Sequence, residues 1–132
     1  MGKVWVPVEL PQAPSQPGGE PELVTVHLLM QLYDDDELTA RESAVAKRTS
    51  ETLQGHPGGA GLAVLLDEVQ QVRKEDRDEL QGRISDWHGF GSEQDPVPFS
   101  AERLAALLRH AFVFTPVRDA LFRASREGVR KN

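Results

Sequence analysis

Four histidines, His27, His56, His88 and His110, are the residues in this 132-residue chain best suited to hold a metal or move a proton near neutral pH. None has an acid or a second histidine at the i, i+3 or i+4 spacing that puts two ligands on one helical face, so they read as scattered surface groups. Cysteine is absent, which removes disulfides, thiolate metal ligands and thiol nucleophiles together. Ser43, Ser50, Ser85, Ser92, Ser100 and Ser125 stand in charged, polar or capping contexts, with no Gly-x-Ser-x-Gly elbow around any of them. Asp34, Asp35, Asp36 and Glu37 form an acidic cluster, but an EF-hand's ligand spacing and its glycine are missing. Negative charge at a helix N-terminus accounts for the cluster more simply. The glycine-rich stretch at 55–61 precedes an apolar segment as a phosphate loop would, yet no Gly-Lys-Ser/Thr follows. The residues therefore predict no enzyme, no metal and no cofactor.

The elements around these residues point to an α+β fold, an N-terminal β-hairpin followed by a mainly α-helical part of four to five helices. In Lys3–Leu10, Val4, Val6 and Val8 alternate with Trp5, Pro7 and Glu9, a strand that Pro7 confines to an edge because proline cannot donate to a ladder. Residues 11–21 are rich in Pro, Gly and Gln and predict a flexible loop. Glu22–Leu32 supplies the second strand, with Val24, Val26, Leu28, Met30 and Leu32 on one face. The hairpin is expected to span 1–33 and the helical part 36–132, with loops near 55–61 and 88–98, all in a single domain. One helix is predicted from about Leu38 to Leu53, burying a stripe of Leu38, Val45, Ala46, Thr49 and Leu53. Leu62 to Trp87 reads as helical on Leu62, Leu65, Leu66, Val69 and Val72, then Leu80, Ile84 and Trp87. Seven consecutive charges from Arg73 to Glu79 interrupt it, and the pattern leaves open one helix with a solvated waist or two shorter ones. Trp87 completes an apolar stripe and is expected in the core; the competing reading makes it a partner hot spot.

Two Gly and two Pro among residues 88–98 end that helix. Ser100 is an N-cap for a helix with Leu104, Leu107 and Leu108 inward, and Phe99 and Leu104 have hydrophobic-staple spacing. After the AFVF linker, Thr115 caps and Pro116 begins a last helix to about Glu127, with Val117, Ala120, Leu121 and Ala124 inward and fraying expected beyond Gly128. Its outward face carries Arg118, Arg123 and Arg126. Phe112 and Phe114 are expected on opposite sides, one in the core and one exposed. With Arg130, these residues make up the candidate partner-binding set: Phe112, Phe114, Arg118, Arg123, Arg126 and Arg130.

Net charge is −6, and its distribution is uneven. Residues 1–100 carry 18 of the 21 acids but only 8 of the 15 bases, which leaves the last 32 residues basic. Such asymmetry suits a partner of opposite sign or self-association. Without interleaved exposed aromatics it is a weak nucleic-acid signal, and the acidic remainder repels phosphate. No apolar run approaches the roughly 18 residues of a membrane span, so no membrane partner is expected.

One order of residues goes further: Trp87, the loop HGFGSEQD, then PVPFS, the Leu-rich AERLAALL, the small and aromatic PVRDALFRAS, and a basic end GVRKN. This resembles the C-terminal half of the tail assembly chaperones of long-tailed bacteriophages, over roughly residues 80–132. The resemblance implies a non-enzymatic chaperone in the host cell cytoplasm, absent from the mature virion. It would bind and solubilise the tape measure protein while tail tube protein polymerises around it. The residues leave room for two other classes, a tail completion or head–tail connector component of the virion and a small nucleic-acid-binding regulatory domain.

Overall fold

In the computed structural model, which describes residues 2–12, 17–20, 22–55 and 59–131, the chain is α+β. Its elements in order are β1 (Lys3–Gln12), β2 (Glu22–Gln31), α1 (Asp35–Gly55), α2 (Gly59–Arg83), β3 (Ile84–His88), α3 (Ala101–Leu108) and α4 (Ala111–Lys131). The strands form one antiparallel sheet in the order β1-β2-β3. β1 is an edge strand, as Pro7 requires, and Pro7 lies opposite His27. Pairing continues to Pro11–Leu23 and Gln12–Glu22, so the loop begins later than the sequence predicts. Residues 13–16 and 21 of that loop lie outside the described residues.

Alternation decides what the sheet buries. Val6, Val8 and Leu10 of β1 and Val26, Leu28 and Met30 of β2 lie on the inner face, whereas Trp5, Glu9, Thr25 and His27 face outward. α4 covers this inner face with Val113, Phe114, Val117, Ala120 and Leu121, and Leu104 and Leu108 of α3 complete the cluster. Removing a side chain of this size from water contributes about 1.5–3 kcal/mol. That magnitude explains why α4 begins at Ala111 and not, as the sequence predicts, at Pro116 behind a Thr115 cap. Pro116 lies inside α4, and a helix-interior proline costs about 3 kcal/mol. Starting the helix early brings both Val113 and Phe114 onto the buried stripe of Val117 and Leu121, which offsets that cost. AFVF is therefore helical, and α4 also runs past Gly128 to Lys131.

The largest departure from the sequence reading is β3. Leu80, Ile84 and Trp87 have helical spacing, but α2 ends at Arg83 and the next five residues form a strand, four of them paired with β2. Opposite Leu28 and Leu29 stand Trp87 and Asp86, while Met30 faces Ile84, so Ser85 is an extra residue in the ladder. This bulge turns both Ile84 and Trp87 inward, although strict alternation would put residues three positions apart on opposite faces. Arg83 sets the register: its guanidinium donates to the carbonyls of Gln31 (3.0 Å) and Leu32 (3.1 Å) at the end of β2. Trp87 is a core residue, buried and donating from Nε1 to the Val97 carbonyl at 2.8 Å. Phe90 and Phe99 pack on its ring at centroid distances of 4.5 and 5.1 Å.

The remaining connections follow local rules. Asp34 and Glu37 exchange hydrogen bonds at the start of α1, Asp34 Oδ1 accepting from the Glu37 amide at 2.8 Å and Glu37 Oε1 from the Asp34 amide at 3.3 Å. The acidic cluster is thus a capping device. Ser100 caps α3 by accepting from the Arg103 amide at 3.1 Å. α1 and α2 are each continuous through the described residues, so the charged run 73–79 is helical. Gly55 ends α1, Gly59 and Gly61 lie in α2, and residues 56–58, His56 among them, lie outside the described residues.

Candidate partner-binding site

α1 and α2 pack on each other as a helical hairpin that meets the rest of the molecule mainly at its base. Of the stripe predicted for α1, Leu38 is buried, Thr49 half-buried, and Val45 and Ala46 exposed. α2 repeats the pattern: Leu80 is buried, Val72 half-buried, Val69 43% exposed and Leu66 58% exposed. The side chains of Leu53, Leu62 and Leu65 lie outside the described residues. Apolar residues at core spacing are therefore left open to solvent, the usual mark of an interaction surface.

Between this hairpin and α4 runs an open groove of about 440 Å³, with Val45, Ala46, Val72 and Phe122 among its apolar lining. A second hollow of about 200 Å³ continues it toward Thr49 and Val69, sharing Val45, Val72 and Arg118. Five arginines, Arg41, Arg48, Arg73, Arg118 and Arg126, border the two hollows, against the two carboxylates Glu42 and Asp76. In a chain whose acids outnumber its bases 21 to 15, this lining inverts the charge, while Glu75 and Asp119 just outside it pair with Arg48 and Arg118.

The base of the groove is held by charge and ring contacts. Asp76, 6% exposed, pairs with Arg41 between α1 and α2. A buried carboxylate needs such a partner, since an unpaired one costs several kcal/mol. The Phe122 ring stacks on Tyr33 at 5.5 Å, and the guanidiniums of Arg41 and Arg126 lie 5.7 and 5.9 Å from its centroid. On the far side of Tyr33, Arg83 stands 3.8 Å from the ring centroid and pairs with Glu37 and with Glu79 (2.8 Å). Burial lowers the pKa of Arg83, but hydrogen bonds to Glu79 and Glu37 outweigh it and leave the group above its ordinary value. Burial likewise raises Tyr33, with Glu79 adding to the shift and Arg41 and Arg83 opposing it. The Tyr33 amide donates to Ser125 Oγ at 3.1 Å, and Ser125 donates to the Leu121 carbonyl at 2.7 Å, fixing α4 to the end of β2.

The six residues singled out from the sequence separate. Arg118 and Arg126 line the groove together with Phe122, one and two helical turns apart. Phe114 is core, 5% exposed, with the Arg118 guanidinium 5.2 Å from its ring centroid. Phe112 is exposed at 55% and its ring lies 5.3 Å from that of His110, so the expected division between the two phenylalanines holds, on a helix and not a linker. Arg123 faces the other way, into a hollow against Pro7, Glu9 and Thr25. Arg130 falls in the last turn of α4, and its side chain lies outside the described residues.

The groove residues Arg41, Val45, Val69, Val72, Asp76 and Phe122 are not among those six. Val69, Val72 and Asp76 do share one helical face by spacing, but nothing local separates Asp76 from its charged neighbours. Among the described residues no three of His, Asp and Glu converge as metal ligands, and no helix is long and apolar enough to cross a membrane. No family model, curated protein or solved structure matches the chain.

Proposed function

We propose that this chain is a tail assembly chaperone of a long-tailed bacteriophage. It acts in the host cell cytoplasm, binding the tape measure protein and keeping it soluble while tail tube protein polymerises around it. One observation carries the reading: the α1–α2 hairpin holds Val45, Leu66 and Val69 in solvent at spacings that would otherwise build a core. A surface of this kind covers apolar stripes on another polypeptide and transforms no substrate. The resemblance over residues 80–132 supports the same reading and supplies the identity of the client. Contacts of modest strength would suffice, because repeats along an extended client multiply them.

The test is coexpression with a tape measure protein, sought as the product of a very long, helix-rich gene immediately downstream of this one. The chaperone reading expects that product to move from the insoluble to the soluble fraction and to be retained with the tagged chain. Unchanged aggregation together with no retention overturns it, as does recovery of the chain as a stoichiometric part of purified virions.

A further inference from the structure

We propose that the groove between α1, α2 and α4 receives one amphipathic α-helix of the client, and selects helices whose apolar stripe is flanked by carboxylates. The inference rests on the chaperone reading for the name of the client, but the groove's own chemistry sets the specificity. Its walls are three helices whose backbone groups are already hydrogen-bonded internally, so it offers no strand edge for an extended peptide to extend. Only a segment that satisfies its own backbone fits such walls, and that segment is a helix. From Arg41 to Thr49 the α1 wall is about 12 Å long, enough for roughly two turns and an i, i+3 or i+4, i+7 set of apolar anchors.

Charge decides which helix. The apolar floor of Val45, Val72 and Phe122 lies among Arg41, Arg48, Arg73, Arg118 and Arg126. Among the described residues Arg41 pairs with one carboxylate, Asp76, and Arg126 with one, Glu42 at 3.5 Å, while Arg48 holds Glu75 at 3.3 Å and makes a further contact besides. Arg118 reaches only its exposed neighbour Asp119, at 3.5 Å. A guanidinium carries five donors, so one carboxylate leaves several for an incoming acid. Rim charges of this kind discriminate between partners more than they add affinity. A second copy of the chain is the poorer occupant, because a two-fold interface through this groove would bring the same arginines face to face.

The experiment uses the full chain and two synthetic 20-residue helical peptides with the same leucine stripe, one flanked by glutamates and one by lysines. Fluorescence anisotropy at low and high salt is the readout. The glutamate peptide is expected to bind at least tenfold more tightly, with the preference shrinking as salt rises. The double variant R118E/R126E is expected to invert the preference. V45D/V69D alters only exposed side chains and is expected to weaken the glutamate peptide at least tenfold while circular dichroism remains unchanged. Equal binding of the two peptides, or indifference to V45D/V69D, overturns the assignment. So does a parent chain that sediments as a dimer and is made monomeric by V45D/V69D, which would give the groove to a second copy. Tight binding of single-stranded DNA that R118E/R126E abolishes, with no peptide binding, would give it to nucleic acid and equally overturn it. If the peptides fail while the tape measure product is still retained, the groove assignment falls and the chaperone reading stands; the reverse outcome removes the client's identity and keeps the groove.

Discussion

Gly82 and Gly91 are nine positions apart, and the structure gives replacement by alanine opposite signs at the two sites. Gly82 lies in the last turn of α2, and a Cβ built there meets nothing within 4 Å. Alanine removes backbone freedom from the unfolded chain, so G82A is expected to stabilise the protein by about 0.5 kcal/mol. Gly91 has φ +83°, where an L-residue costs roughly 1–2 kcal/mol. Its Cβ would stand 2.6 Å from the Asp95 carbonyl oxygen and 2.9 Å from the Val97 amide nitrogen. Both are backbone atoms, and the Val97 amide donates to the Phe90 carbonyl at 3.0 Å, so relief of the clash disturbs that bond. Its loss adds about 1 kcal/mol, for a total near 2–3 kcal/mol. Urea unfolding followed by tryptophan fluorescence reads both variants, since Trp87 packs beneath this loop. The expected midpoint moves slightly up for G82A and well down for G91A, with a fall in Tm of roughly 10 °C for the latter. A G91A midpoint within error of the parent would refute the tight Gly91–Pro96 turn, and a clearly destabilised G82A would refute the helical end of α2.

The remaining tests concern the ionic and aromatic supports of the groove. R41A strands the Asp76 carboxylate and is expected to cost about 2–3 kcal/mol, below the range for a fully buried pair because the Arg41 side chain is 25% exposed. The double variant R41M/D76L removes both charges and is expected to recover to within about 1 kcal/mol of the parent by urea unfolding; a double variant weaker than R41A would sink the buried-pair account. Tyr33 is the single tyrosine, so absorbance at 295 nm reports it alone among tyrosines. Burial raises its pKa above the ordinary 10.0, so the native state holds its proton longer than the unfolded chain does. The stability it contributes is complete below pH 10 and declines as pH rises through the folded value, and Y33F is expected to be less sensitive to alkali than the parent. A titration midpoint at or below 10 contradicts that burial.

The part of the fold set by nearest neighbours was legible in the chain. Alternation in Lys3–Leu10 and Glu22–Leu32 specifies a hairpin, because each slip by one residue would expose its whole apolar face. Pro7 assigns β1 to an edge, the acidic cluster 34–37 and Ser100 mark helix starts, and Val117, Ala120 and Leu121 mark the inward face of α4. The inward and outward division of Phe114 and Phe112 was legible too, although which of them is buried was not. For the candidate site, Arg118 and Arg126 were identified through their basic helix, while Arg123, chosen on the same ground, points elsewhere.

Tertiary structure decided the rest, for reasons that no local window contains. Leu80, Ile84 and Trp87 carry helical spacing, but a bulge at Ser85 lets a strand bury the same residues, and β2 supplies the hydrogen bonds that make the strand the better solution. Thr115 and Pro116 form a good helix start, yet packing of Val113 and Phe114 against the sheet carries the helix straight through them. Asp76 is one acid in a run of seven charges until Arg41, thirty-five residues earlier, folds against it. The sequence by itself determined which residues prefer to leave water and which local caps and breaks the backbone accepts. Which apolar residues find a partner, and which, like Val45 and Val69, are left facing a groove, depends on contacts between distant segments, and those exist only once the helices have packed.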